Sequence, residues 1–286
     1  MTPGERPDVL SLPFNPEVMF TNHKNVRKKG VERRQTKLMQ KLACVKPFLK
    51  EGEQALLITT GCSPVSLAEQ FLTGWIVFTL KRSLFVFTNQ RILHIPTTSN
   101  FAYRDSIAVI DYADCQSLRL KGRHFVVEYA GGAKETFLYF GGRDAKKLKV
   151  LIPTLPLGHS PLARGKRVHL CPRCTKELED GKFACPSCRL EFKNKEEARR
   201  ISLIYPGGGY FYTRHPFLGI SDAITEFILT ILVIVTAVEA FRDRDAIGAL
   251  VFLVVALAVE KALTVYHSNH FLAEFIPKEK HITRAM

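Results

Sequence analysis

Two apolar stretches near the end of the chain limit what it can fold into more than any other feature. Phe217–Phe241 carries only Asp222, Glu226 and Glu239 as charges, and Ala246–Tyr266 carries only Glu260 and Lys261. A helix needs about 20 mainly apolar residues to cross a bilayer, and each stretch is that long. The uninterrupted apolar cores, Phe227–Val238 and Ala246–Val259, would on length alone also suit buried helices of a soluble protein. Leu229–Val235 and Ala249–Val255 present no polar face, and a helix that is apolar all round belongs in lipid or deep inside a large protein. The linker Arg242-Asp243-Arg244-Asp245 is short and electrically neutral. The sequence therefore predicts a tight transmembrane hairpin over 217–266.

Charges inside such a hairpin need partners, because a lone charge in hydrocarbon is expensive. Folding the hairpin about the centre of its linker sets Glu226 at the depth of Lys261, with Asp222 one turn from Glu226 on the same face. The expectation is an intramembrane Glu226–Lys261 bond with Asp222 beside it, and with Glu239 and Glu260 near the interfaces. Orientation follows from charge: the chain has a net charge of +14, yet residues 217–286 hold 6 basic against 8 acidic groups. The basic excess lies before the first span, and Lys278, Lys280 and Arg284 follow the second. Positive loops stay inside. Both termini are thus expected in the cytoplasm, with a multi-pass anchor in the inner membrane and the first 216 residues as a cytoplasmic body.

The cysteines are of two kinds. Cys171-Pro-Arg-Cys174 and Cys185-Pro-Ser-Cys188 form a CPxC-x10-CPxC pattern, while Cys44, Cys62 and Cys115 are isolated. Each CxxC knuckle can aim two thiolates at one ion, and two knuckles complete a tetrahedral sulfur site. Thiolate ligands suit zinc or iron, and a short ribbon without other redox features favours one structural Zn2+. With all four positions taken by protein sulfur, no place remains for a water nucleophile, and His169 is left without a vacancy to fill. An odd cysteine count points to reduced thiols in a cytoplasmic setting. The ribbon flanks, Arg164, Lys166, Arg167, Arg189, Lys193, Lys195, Arg199 and Arg200, are basic enough to keep nucleic-acid contact open.

Between residues 52 and 140 the apolar period becomes that of strands. Ala55–Thr59, Trp75–Thr79, Leu84–Thr88, Arg91–Ile95, Ala108–Tyr112, Ser117–Lys121, His124–Tyr129 and Glu135–Phe140 are rich in β-branched and aromatic residues. Turn residues separate them, and Lys81-Arg82-Ser83 is expected as a hairpin loop. From Ala145 the spacing turns helical, with Ala145, Leu148, Leu151 and Ile152 on one face and Lys146, Lys147 and Lys149 outside it. Leu84-Phe-Val-Phe-Thr-Asn-Gln-Arg-Ile-Leu93 resembles the strand, Thr-Asn-x-Arg, strand signature of bacterial pleckstrin-homology-like (PH-like) and GRAM-type domains. That resemblance implies a small barrel closed by a C-terminal helix over roughly 45–155, in which Thr88, Asn89 and Arg91 serve the fold. It also implies hairpin tips, here Lys81, Arg82, Lys121 and Arg123, that can meet lipid headgroups or protein partners. Pro206-Gly-Gly-Gly-Tyr-Phe-Tyr212 is similar to the Pro-Gly-x-Gly-x-x-Tyr lead-in of small two-span hairpin domains in bacterial membrane proteins.

The start of the chain is rich in proline to Pro16 and then strongly basic from Lys24 to Lys41, where a helix is expected. Lys28, Lys29, Arg33 and Arg34, with Lys81 and Arg82, are the candidate contacts for headgroup or phosphate. The organisation expected is multidomain: a basic segment (1–44), a PH-like β-barrel with a C-terminal helix (45–156), a basic linker (157–167) and a zinc ribbon (168–192). A Gly/Tyr connector (193–216), the transmembrane α-hairpin (217–266) and a tail (267–286) complete it. No nucleophile–base pair and no phosphate loop is present, and Gly207-Gly208-Gly209 lacks the Lys-Ser/Thr such a loop needs. The function expected is a non-enzymatic adaptor that rests on the lipid bilayer and binds a protein partner or a headgroup. A membrane-tethered nucleic-acid binder, or a subunit of a transport or assembly complex that forms homo-oligomers, are the alternatives.

Overall fold

The structure is a computed structural model and describes residues 12–158 and 164–279. The prolines at 3 and 7, part of the 157–167 linker, and the tail residues Lys280 and Arg284 lie outside the described residues. The chain divides between Leu190 and Glu191 into two compact units.

The first unit begins with α1 (Pro16–Met19), capped by Asn15, whose side chain accepts from the amides of Glu17 and Val18. α2 (Lys29–Gln40) takes up the basic run and buries Gln35, Leu38 and Met39 on one face. Then follow β1 (Ala55–Cys62), α3 (Leu67–Thr73), α4 (Ile76–Leu80), β2 (Arg82–Thr88), β3 (Arg91–Pro96) and β4 (Ile107–Asp111). β5 (Cys115–Lys121), β6 (His124–Tyr129), β7 (Lys134–Phe137), α5 (Gly142–Leu151) and β8 (Val168–Leu170) complete it. The strands form two antiparallel sheets, β1-β2-β3-β4-β8 and β5-β6-β7. A bridge from Cys62 to Leu138 ties the end of β1 to the segment after β7. At that closure a side chain on Gly61 would press on the Phe85 and Phe140 rings at 3.0 Å, so the position accepts only glycine without shifting them.

Each face of the first sheet has its own core. One holds Ile58, Val86, Leu93, Ile95 and Val109 under Met19, Leu38 and Met39. The other holds Phe85 and Phe87 against Phe125, Phe137 and Phe140 of the second sheet and Leu148 and Leu151 of α5. A strand covered on both sides reads as a continuous apolar run, and Leu84–Phe87 is one. The Thr88–Arg91 turn between β2 and β3 is locked from inside. The Thr88 hydroxyl oxygen accepts from the amides of Gln90 and Arg91 (3.1 and 3.0 Å), and Asn89 Oδ1 accepts from the Gln54 amide (2.8 Å). The buried Arg91 guanidinium forks onto Glu53, with Nε 3.2 Å from Oε1 and Nη2 3.1 Å from Oε2.

Three expectations are corrected here. Trp75–Thr79 is not a strand: residues 67–80 form α3 and α4, inserted between β1 and β2, which pair directly from Cys62↔Arg82 onward. Ser66 caps α3 by accepting from the Glu69 amide, and Gly74, at φ +59°, ends it. A short apolar run carries no period that separates strand from helix. Lys81 and Arg82 therefore do not occupy a hairpin tip. Lys81 is buried with its Nζ 3.5 Å from Glu69 Oε1, and Arg82 opens β2. Lys147, expected outside the α5 stripe, is buried as well.

The second unit contains α6 (Lys195–Ile204), α7 (Gly208–Tyr212), α8 (Pro216–Ala240) and α9 (Ala246–Phe271). Asn194 caps α6, and Pro216 stands at the start of α8, where its missing N–H costs nothing. α8 and α9 are long and apolar enough to span a membrane. In their most apolar windows only 11% of α8 and none of α9 is buried. The glycines before α8 form a packing knot. A methyl on Gly208 would strike the Ile201 carbonyl oxygen at 2.5 Å, and one on Gly209 would strike the Ser202 and Ser268 hydroxyls. Gly207 combines φ +66° with the same crowding, against the Gly219 carbonyl. Gly248 in α9 faces open space. Gly209→Ala is thus expected to destabilise this unit by about 1–3 kcal/mol, as overpacking does, while Gly248→Ala is neutral or stabilising. Thermal melts of both variants in detergent micelles check the contrast.

Candidate functional site

The four-cysteine cluster is built by two knuckles that repeat one design. The Cys171 amide donates to the Lys176 carbonyl (2.7 Å) and the Thr175 amide to the Cys171 carbonyl (2.9 Å). In the second knuckle the Cys185 amide donates to the Leu190 carbonyl (2.9 Å) and the Arg189 amide to the Cys185 carbonyl (3.0 Å). Thr175 and Arg189, each just after the second cysteine of its knuckle, take positive φ (61° and 55°) to close these turns. β8 anchors the assembly by pairing with β4, Ile107↔Leu170 to Val109↔Val168.

Cys171 Sγ lies 3.5 Å from Cys188 Sγ and Cys174 Sγ 3.5 Å from Cys185 Sγ, and all four sulfurs lie within 4.8 Å of one another. Zinc–sulfur bonds of about 2.3 Å in a tetrahedron place sulfurs about 3.8 Å apart. The cluster can therefore hold one metal ion. His169 sits in β8 opposite Ala108, outside the four-sulfur group. The basic flank is engaged locally: Arg164 Nη1 lies 2.7 Å from Glu177, Lys166 bonds Asp180, and Arg167 Nε lies 3.5 Å from Glu135.

A second cluster lies between α8 and α9. Lys261 Nζ donates to Glu226 Oε2 at 2.5 Å and to the Ser202 carbonyl of α6 at 2.9 Å. The Thr264 hydroxyl faces both Asp222 carboxylate oxygens at 3.0 and 3.1 Å and Glu260 Oε1 at 3.3 Å. Asp222, Glu226 and Glu260 each bring an oxygen within 4.8 Å of the others. The structure thus brings Asp222, Glu226 and Lys261 together and adds Glu260, which the sequence placed near an interface. Glu226 is only 1% exposed. Nearby, the Tyr210 hydroxyl lies 2.7 Å from His267 Nδ1.

The expected headgroup contacts do not form one surface. Lys28, Lys29 and Arg33 are exposed, but Arg34 bonds Asp144, and Lys81 is buried against Glu69. Arg82 donates from Nη1 to the Ser99 carbonyl at 2.7 Å. Two of the lone thiols, Cys62 and Cys115, are poor nucleophiles. Burial pushes Cys62 up to about 11, against a smaller opposing pull from Arg82, and pushes Cys115 up to about 12 with help from Asp114. No family model matches the chain, and no curated protein or solved structure matches it either.

Proposed function

We propose that this chain is a non-enzymatic, membrane-anchored adaptor: a PH-like two-sheet body and a structural zinc ribbon held at the inner membrane by the α8–α9 hairpin. The observation that carries this reading is the bare apolar surface of α8 and α9. Phe217 and Phe252 are 75% and 72% exposed, in helices whose apolar windows bury almost nothing within the chain. Water would penalise that surface heavily, and lipid would not. The Glu226–Lys261 bond supports the same reading, because it neutralises one charge that each helix carries into the bilayer. Both termini are read as cytoplasmic from the charge distribution. Zinc is the ion of choice for four thiolates at tetrahedral spacing.

The experiment is fractionation of the tagged protein, with the membrane pellet washed in high salt and then alkaline carbonate. Retention through both is expected. Release by salt would overturn the anchor and favour binding through basic charge alone.

The α3–α4 insertion supplies a second apolar contact for the tethered body. Leu67, Phe71 and Trp75 are 87%, 89% and 77% exposed, and they fit the wedge of aromatic and aliphatic groups that interfacial elements press into headgroups. Trp75 is the one tryptophan in the chain, so its fluorescence reports this element alone. In lipid nanodiscs its emission is expected to shift blue relative to detergent-free amphipol, and brominated lipid is expected to quench it. Identical spectra in both would remove the insertion from the membrane contact and leave it for a protein partner.

A further inference from the structure

A cavity of about 460 Å3 opens between the start of α2 and α5, apart from both clusters above. Its charged lining comprises His23, Lys28, Arg34, Arg143, Lys146 and Lys147, against the single carboxylate of Asp144. That carboxylate is already committed: Arg34 bonds it, and the Thr59 hydroxyl donates to it at 2.6 Å. Lys28, Arg143, Lys146 and Lys147 form no ion pair among the described residues. Four positive charges thus share one concave wall without an anion of their own.

Lys147 is the most informative of them. It is 5% exposed, and its ammonium is held only by uncharged oxygens: Thr21 Oγ1 at 2.7 Å, the Asn22 carbonyl at 3.3 Å and Asn25 Oδ1 at 3.3 Å. Burial without a carboxylate disfavours the charged form and pulls its pKa below the ordinary lysine value. For packing alone, a buried position in α5 would be better filled by leucine or methionine. An anion seated in the cavity would remove the penalty. The polypeptide around it is shaped for one. α2 begins at Lys29 with no side-chain cap; the Val31 amide turns back onto the Lys28 carbonyl (2.9 Å), which leaves the amides of Lys29 and Gly30 as the uncapped donors of the first turn. Gly30, in that turn, lines the cavity, and a methyl there would meet nothing within 4 Å.

We propose that this cavity is a binding site for a phosphate-bearing anion, presented by a lipid headgroup or by a free phosphorylated small molecule. A phosphomonoester carries about −1.5 to −2 charges at neutral pH and three acceptor oxygens, which suits several cations better than a single carboxylate would. The volume exceeds that of a bare ion and leaves room for a small group esterified to it. The lipid form of the proposal rests on the membrane reading above, and the free form does not.

The test uses the full chain in phosphatidylcholine nanodiscs, followed by calorimetry and by hydrogen exchange of residues 28–31 and 142–147. In one arm glycerol 3-phosphate is titrated in, and in the other the discs contain phosphatidic acid and no soluble ligand is added. Saturable binding with protection in the first arm assigns a free phosphate compound, and protection in the second alone assigns a headgroup. Arg143→Gln/Lys146→Gln changes exposed residues, so it keeps the fold, and it should weaken binding about tenfold or more. Lys147→Met should remove binding while the melting temperature holds or rises. Lys46→Gln/Lys149→Gln, exposed and outside the cavity lining, should change nothing. Absence of protection in both arms, or equal losses in the cavity and control variants, would overturn the proposal. A chain that fails the carbonate wash can still be titrated with glycerol 3-phosphate, so the two readings fail separately.

Discussion

Cys185→Ser is expected to abolish stoichiometric metal binding and to unfold residues 168–190, and stripping the wild-type chain with a strong chelator should do the same. The reason is the scarcity of apolar matter in the ribbon. Besides the cysteines, the buried apolar residues of 168–190 are Leu170, Leu178 and Leu190. Three leucines cannot offset the conformational entropy lost when two knuckles and their turns are fixed. The turns themselves hold Thr175 and Arg189 at positive φ, a conformation that side chains other than glycine disfavour. Structural zinc contributes about 10–16 kcal/mol on binding at neutral pH, enough to hold such a segment closed. Elemental analysis should give one zinc per wild-type chain and none for Cys185→Ser, whereas Cys44→Ser should keep its ion. Trypsin offers a sharper readout, since Arg173, Lys176, Lys182 and Arg189 all lie in the ribbon. Cleavage there should be slow with metal and fast without it. An unchanged digestion pattern after metal removal would show that the cluster needs no ion to stay folded.

The damage should also reach the first sheet. β8 is the edge strand beside β4, and Leu170 belongs to the core that Met19, Val86 and Leu93 share. Losing the ribbon uncovers the β4 edge, and an unpaired apolar edge invites association between chains. The apo protein is therefore expected to aggregate at concentrations where the loaded protein does not.

What the sequence disclosed and what it concealed follow the range of the interactions involved. The cysteine cluster was legible because each pair of ligands sits in one local turn. The seven sheet strands outside the ribbon were found because their apolar runs are punctuated by turn residues such as Gly122 and Gly132, both at positive φ. The Trp75–Thr79 run misled because it is too short to show a period, and because β1 runs on to Cys62 before the chain turns away. Lys147 was misplaced for a different reason. Its partners Thr21, Asn22 and Asn25 are more than 120 residues away in the chain, beyond any local pattern. The placement of Glu226 beside Lys261 followed from depth alone, since a short linker forces antiparallel helices into one register. Depth says nothing about azimuth, and so Glu260, the neighbour of Lys261 in sequence, was assigned to the rim and not to the cluster it joins.

Lys261→Met is expected to destabilise the helical unit by about 3–5 kcal/mol, the cost of leaving a buried carboxylate without its counter-ion. The context pushes the effect toward the upper end. Glu226 is 1% exposed, its second oxygen has no hydrogen-bond partner among the described residues, and Asp222 and Glu260 stand within 4.8 Å. Removing the ammonium would leave three carboxylates facing one another, with the single Thr264 hydroxyl shared between Asp222 and Glu260. It would also release the Ser202 carbonyl, through which Lys261 ties α9 to α6. Glu226→Met/Lys261→Met removes both charges and should recover most of the loss, because an apolar pair of similar volume often replaces a buried ion pair at little cost. Denaturation of the four proteins of this cycle in mixed micelles should give a coupling of about 3 kcal/mol. Additive losses would mean that Lys261 stabilises the unit through Ser202 and its own packing, with the Glu226 contact contributing nothing. A coupling of the expected size would show that the two helices are held in register by the charges that make them costly to insert, because the pair forms only when Glu226 and Lys261 reach the same depth.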